Sequence, residues 1–177
     1  VIVFSDFNYG VITKRLIKEI TEIAHKNKIK LIGDVQCSSQ IGYVTKLKNF
    51  DLICANEKEA RIALNDNISG LENLCRNLIK KTGVKNLIIK LGSKGFILYQ
   101  ITETNAVISQ PFPALSAQPV DTAGAGDSLL ATMACGLSSG ISIINTAALS
   151  CFTTCISVER MGNLPISSND VLREIEL

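Results

Sequence analysis

An α/β fold with a mostly parallel central sheet and an antiparallel edge is predicted by two features of the sequence. Short apolar runs alternate with helical-period segments through the first half, and a glycine-punctuated pair of strand-like runs follows residue 91. Val1 to Phe4 reads as the first strand. Leu16, Ile17, Ile20, Ile23 and Ala24 then share one helix face, and Ile29 to Ile32 forms the second strand, which completes a βαβ unit. Asp51 to Ala55 is a third short strand. Leu71, Leu74, Cys75, Leu78 and Ile79 line a helix that leads through Gly83 into a strand from Asn86 to Leu91. Gly92-Ser93-Lys94-Gly95 turns the chain into Phe96 to Tyr99, whose antiparallel partner is Ala106 to Ile108. Two apolar helices finish the pattern, one from Gly124 and one from about Ile141 to Val158, before Gly162 and Pro165 break it.

With 177 residues, 46% of them apolar and 19% charged, the chain is of one-domain size and has ample material for a buried core, so residues 1–177 are expected to form a single domain. The formal charge of +2 is spread rather than striped, which argues against a nucleic-acid surface. No apolar run approaches the length of a membrane span and no signal-peptide pattern opens the sequence, so no membrane association and a cytoplasmic location are expected. The six cysteines form no Cys-x-x-Cys pair and the only histidine is His25, which leaves zinc poorly supported and reads most of the thiols as small buried hydrophobes. Cys151 and Cys155 share a helix face, but no third ligand completes a metal set near them.

The segment Asp121-Thr122-Ala123-Gly124-Ala125-Gly126-Asp127 carries the chemistry. It stands just before the helical run Leu129, Leu130, Met133, Ala134 and Leu137, so the Gly-Ala-Gly turn opens a helix. The first amides of a helix lack internal partners and carry the positive end of its dipole, and small residues let an anion approach them. Asp127 falls in the first turn, where the dipole favours its ionised form. A hydroxyl placed between Asp127 and a phosphate held by the amides of Gly124, Ala125 and Gly126 would bring base, nucleophile and electrophile together. The plainer alternative is a tight strand-to-helix turn with a carboxylate that serves only the dipole.

The whole string resembles the second signature of the ribokinase (pfkB) family of carbohydrate kinases, Asp-Thr-x-Gly-Ala-Gly-Asp, at every fixed position. The resemblance implies a ribokinase-like αβα sandwich and transfer of the γ-phosphate of ATP to a sugar or sugar-phosphate hydroxyl. It makes Asp127 the catalytic base and Gly124, Ala125 and Gly126 the anion hole. It also implies Mg²⁺ and a monovalent cation such as K⁺, the latter beside Asp121, for which helix capping is an equal alternative. Asn56-Glu57-Lys58-Glu59 is similar to the family's Asn-x-x-Glu motif, which organises magnesium and phosphate without a direct set of protein ligands being assigned. The same four residues also make a capping box, and both readings can hold together. Lys90, Gly92 and Gly95 resemble the strand end and glycine turn that pass beneath the nucleotide, with a plain β-turn as the alternative. The sequence holds no Walker A spacing and no Gly-x-Gly-x-x-Gly after a first strand, which excludes a P-loop enzyme and a dinucleotide-binding dehydrogenase.

Ser5-Asp6-Phe7-Asn8-Tyr9-Gly10 is similar to Ser-Asp-Tyr-x-Lys-Gly of the heptose-phosphate kinase branch. Tyr9 stands in place of Lys, and Asp34-Val35-Gln36 in place of Asp-Pro-Lys, so two cationic side chains suited to a phosphorylated sugar are replaced. Asp6 and Asp34 are expected to line a substrate cleft at strand ends or to cap turns. The resemblance covers the C-terminal portion of a family member. A preceding portion with the lid is therefore expected as a partner of this chain, with a homodimer as the other association. A non-catalytic nucleotide-binding module of the same fold is the rival to an active kinase.

Overall fold

The computed structural model describes residues 1–37 and 43–176. It divides into two compact units, Val1–Leu91 with Ile97–Gln110, and Gly92–Phe96 with Pro111–Leu177.

Six strands lie in one sheet in chain order: β1 Ile2–Asp6, β2 Leu31–Val35, β3 Leu52–Asn56, β4 Asn86–Lys90, β5 Phe96–Ile101 and β6 Val107–Phe112. β1 to β4 are parallel. Helix α1 (Lys14–Lys26) makes the first crossover, and α2 (Glu57–Leu64) with α3 (Leu71–Thr82) makes the crossover from β3 to β4. The rest of the sheet is antiparallel. The Ile101 amide donates to the Lys85 carbonyl at 3.0 Å, which lays the end of β5 beside the start of β4, and the Thr102 amide closes the next turn onto the Ala106 carbonyl at 2.8 Å.

Strands β2 to β4 are buried on both faces, which is why they read as continuous apolar runs rather than alternating ones. On one face Ile17 and Ala24 of α1 and Leu74 and Leu78 of α3 join Phe4, Leu31, Ile53 and Leu87 in the core of the first unit. Most strand bounds shift from the sequence expectation, β5 and β6 running on to Ile101 and Phe112, and the shifts of β1 and β2 have a local cause. β1 runs on to Asp6 because its pairing with β2 continues through Asp6 and Val35. β2 begins later because Lys28 turns left-handed (φ 54°) while the Ile29 amide still donates back to the Ala24 carbonyl at 2.9 Å.

The second unit carries α4 (Ala125–Ser138), α5 (Ile143–Val158) and α6 (Ser168–Ile175). α4 and α5 approach closely at Gly136, where a Cβ would stand 2.4 Å from Cγ2 of Thr146. The hydroxyls of Thr132 and Thr153 meet at 2.8 Å between the same helices. α6 lies beyond the last helix expected from the sequence. It starts at a capping box in which Ser167 accepts from the Asp170 amide and Asp170 accepts from the Ser167 amide, and Arg160 reaches Asp170 at 2.8 Å. Cys54, Cys75, Cys151 and Cys155 are buried as expected, whereas Cys37 is half-buried and Cys135 exposed. No helix among the described residues is long and apolar enough to cross a membrane.

Candidate active site

In the second unit the signature segment is anchored from both sides. The amides of Val120 and Asp121 both donate to the Val158 carbonyl, at 2.7 and 3.0 Å, which fixes the approach to α4 against the end of α5. The Asp121 carboxylate then accepts from the Ala123 amide at 2.9 Å and from the Gly162 amide at 3.1 Å. Those two bonds, the first the larger, hold Asp121 below the usual carboxylate range. The helix cap weighed for Asp121 is not formed, since Gly124 is the N-cap of α4 and no side chain caps it; Asp121 instead closes a local turn onto Ala123 and ties the loop at Gly162 to the start of α4.

Gly124 takes φ 80°, a left-handed conformation that costs a residue with a Cβ about 1–2 kcal/mol. Such a Cβ would also stand 2.5 Å from Oδ1 of Asn163, whose side chain lies over the glycine. The Ala125 amide turns back to the Thr122 carbonyl at 3.4 Å, and the Ser128 amide donates to the Gly124 carbonyl at 2.8 Å. Of the anion-hole amides expected at Gly124, Ala125 and Gly126, that of Ala125 is thus turned toward Thr122, while the amides of Gly126 and Asp127 belong to the first turn, where a helix provides no partner of its own, so Gly126 keeps the expected role and Asp127 takes the place of Ala125. Asp127 is half-buried in that turn. It borders a groove of about 650 Å³ whose walls include Ser128, Thr132, Thr153, Asn163 and Val171.

The glycine turn after β4 has two positive-φ residues, Gly92 at 61° and Gly95 at 84°. A Cβ on Gly92 would meet open space, but one on Gly95 would lie 2.1 Å from the Phe112 carbonyl oxygen and 2.6 Å from the Ala114 amide nitrogen. Gly95 therefore lets two backbone segments pass in contact, beside the stacked rings of Phe96 and Phe112.

In the first unit, Asn56 caps α2 with its side chain on the Glu59 amide at 2.8 Å, and Glu59 returns Oε2 to the Asn56 amide at 2.7 Å. The capping box is therefore real. It is also unusual in being buried, with Glu59 only 4% exposed. Burial raises the Glu59 carboxyl above its ordinary value, and Lys90 together with the amides of Asn56 and Cys37 opposes that rise. Lys90 stands opposite Asn56 in the β3–β4 register and pairs with Oδ2 of Asp34 at 2.9 Å. Burial works to lower Lys90, but Asp34 and Glu59 outweigh it and hold the ammonium above its usual range. Cys54 lies between Asp34 and Ile88 in the ladder, and burial pushes its thiol up well beyond the ordinary range. It is inert as a nucleophile.

Asp6 and Asp34 are expected to line a cleft at strand ends or to cap turns; Asp34 pairs in register with Ser5, and successive side chains of a strand alternate between faces. Asp6 therefore projects to the opposite face from Asp34. It is held there by Lys46 and by the Asn8 amide at 2.8 Å, while Lys46 also donates to the Asn8 side chain at 3.0 Å. Lys46 and Asn163 had no signal in the sequence, since each acts on a residue about 40 positions away through a single flexible side chain.

A magnesium ion that keeps its waters and takes most other ligands from nucleotide phosphates needs one or two carboxylates rather than a closed cage. The buried Glu59, seated on backbone amides beside Asn56, fits that demand. Among the described residues no cluster of three His, Cys, Asp or Glu side chains forms a cage.

The model of the pfkB family carbohydrate kinases matches residues 1–169. The bifunctional protein HldE of Pelobacter propionicus is 24% identical over 180 residues, covering 100% of this chain and 35% of that protein. The HldE of Sulfurimonas denitrificans is 28% identical over 173 residues, 96% of this chain and 34% of its own length. The chain thus spans about a third of the length of these relatives. Among solved structures, Arabidopsis thaliana ribokinase complexed with ribose and ATP has a TM-score of 0.79 at 23% identity, over 99% of this chain and 55% of that one. Escherichia coli phosphofructokinase-2 in complex with potassium has a TM-score of 0.77 at 17% identity, over 98% and 55%. The fold is ribokinase-like, as expected. With the family model running from the first strand into the last helix, the chain belongs to the pfkB family of carbohydrate kinases.

Proposed function

We propose that this chain is the nucleotide-binding and catalytic portion of an ATP-dependent sugar kinase, moving the γ-phosphate of ATP to a sugar or sugar-phosphate hydroxyl. The observation that carries the reading is the start of α4, where Gly124 at φ 80° opens the backbone, the first-turn amides follow, and Asp127 borders the groove. Asp127 takes the proton of the attacking hydroxyl. The amides of Gly126 and Asp127, with Gly124 leaving room for close approach, stabilise the charge on the transferred phosphoryl group. Asn56 and Glu59 orient the waters of a magnesium ion, which when bound neutralises phosphate charge. Gly92 and Gly95 let the chain pass close beneath the nucleotide. A monovalent cation such as K⁺, the ion named for the E. coli phosphofructokinase-2 structure, would be held near Asp121 and stiffen the loop at Gly162.

The HldE relatives favour a heptose-phosphate-like substrate, while Tyr9 and Gln36 in place of two lysines favour a less anionic one. The test of the reaction is Asp127→Asn in the full-length polypeptide, assayed by sugar-dependent ADP release with Mg²⁺. A general base predicts a kcat lower by about 10²–10⁴. Near-normal turnover would sink the assignment. The second reading, a nucleotide-binding module without turnover of its own, is favoured by Tyr9 and Gln36, which stand where the heptose-phosphate branch carries two lysines for its substrate. ATP binding by this chain without sugar-stimulated ADP release supports that reading.

A further inference from the structure

The most unusual feature of the first unit is a buried charge cluster that the local capping motif does not require. Asp34 is 1% exposed and Glu59 4%, and both lie within electrostatic reach of the same ammonium, Lys90. Asp34 and Glu59 oppose each other's charge, while Lys90 favours both. Buried ion pairs add little to stability on balance, yet removing one partner leaves the other uncompensated. Lys90 has its ammonium on Asp34 at 2.9 Å and its Cα level with Asn56.

We propose that Lys90 is a positioning residue: by standing on Asp34 it neutralises that carboxylate and keeps Glu59 seated on the Asn56 amide. The step from there to magnesium and phosphate rests on the kinase reading, but the positioning itself does not. Without Lys90, two like charges face each other in a low-dielectric site, and Glu59 relieves the repulsion by leaving its seat. Neutralising Asp34 as well removes the repulsion and restores it. A Lys90 that bound phosphate directly would give no such restoration.

The primary test is backbone amide exchange on the metal-free chain. In Lys90→Met the Asn56 amide, which donates to Glu59, exchanges at least about tenfold faster, while the Ile53 and Leu78 amides keep their protection. In Lys90→Met/Asp34→Asn the Asn56 amide returns to within about threefold of the parent. Unchanged Asn56 exchange in the single variant overturns the proposal, as does a folded double variant in which Asn56 stays unprotected. Where the single variant does not fold, the double variant decides alone, and failure of both to fold also overturns it.

Calorimetric titration with ATP and Mg²⁺ adds the functional arm. The single variant is expected to bind about tenfold more weakly, and the double variant to recover. Equal weakening in both assigns Lys90 to the phosphates and overturns the positioning role. A parent chain that binds no ATP sinks the kinase reading while leaving the exchange result to stand or fall by itself.

Discussion

Gly92 and Gly95 lie three residues apart in one turn, and the structure gives them different reasons to be glycine, so replacing each by alanine separates backbone angle from backbone contact. Both have positive φ, 61° and 84°, and each alanine incurs the left-handed penalty of about 1–2 kcal/mol. At position 92 nothing else is added, because a Cβ there meets no atom within 4 Å. At position 95 the new carbon falls 2.1 Å from the Phe112 carbonyl oxygen and 2.6 Å from both the Ala114 nitrogen and the Pro113 carbonyl carbon. These are backbone atoms, so no side-chain rotation relieves the overlap and the segment 112–114 must move. Overpacking of this kind adds about 1–3 kcal/mol or more, for a total near 2–5 kcal/mol. Urea unfolding followed by circular dichroism should place Gly92→Ala slightly below the parent and Gly95→Ala well below it, or without a folded baseline. Equal midpoints would refute the argument that Gly95 is held by close backbone passage. If Gly95→Ala folds, the displaced 112–114 segment should also raise the KM for ATP more than Gly92→Ala does.

Gly136→Ala should destabilise the helical unit by about 1–2 kcal/mol in the same assay, because overpacking against the fully buried Thr146, whose hydroxyl is tied to the Ser142 carbonyl at 2.9 Å, outweighs the helix propensity gained. Asp170 is held below its ordinary value of 3.8 by Arg160 first and Ser167 next. Its contribution to α6 is therefore present above that value and lost as the pH falls below it toward the depressed folded-state value, and Asp170→Asn should remove this acid limb from a pH series of α6 amide exchange. Thiol alkylation of the folded chain should modify the exposed Cys135 well ahead of Cys75 and Cys151, whose thiols burial pushes up to about 11. Prompt labelling of either buried thiol would contradict the packing of α3 or α5.

The parts of the fold legible in the sequence are those set by local periodicity. α1 and α3 announce themselves by apolar spacing and by Gly83, and β2 to β4 by short apolar runs of the kind a doubly covered sheet produces. The capping box at Asn56 was readable for the same reason, since both partners lie within four residues. α6 carries a similar signature in Ser167 and Asp170, with Val171, Leu172 and Ile175 behind it. Gly162 and Pro165 read as a stop signal beyond α5, which ends at Val158, and a stop signal for one helix is silent about the next.

What the sequence could not show is how a locally sufficient motif is loaded from afar. Asn56 and Glu59 would cap α2 as well on a surface as in the interior. Only the parallel register, which sets Asn56 on β3 level with Lys90 on β4 and leaves Asp34 on β2, two strands from Lys90, turns that cap into a buried group whose position depends on a distant pair. The same register divides Asp6 from Asp34, because a single residue of offset sends side chains to opposite faces. A motif of four residues identifies the atoms that can do chemistry. The charge state and direction of those atoms depend on the sheet register, so the role of Asn-x-x-Glu in this chain is tested at Lys90 and Asp34 rather than within the motif.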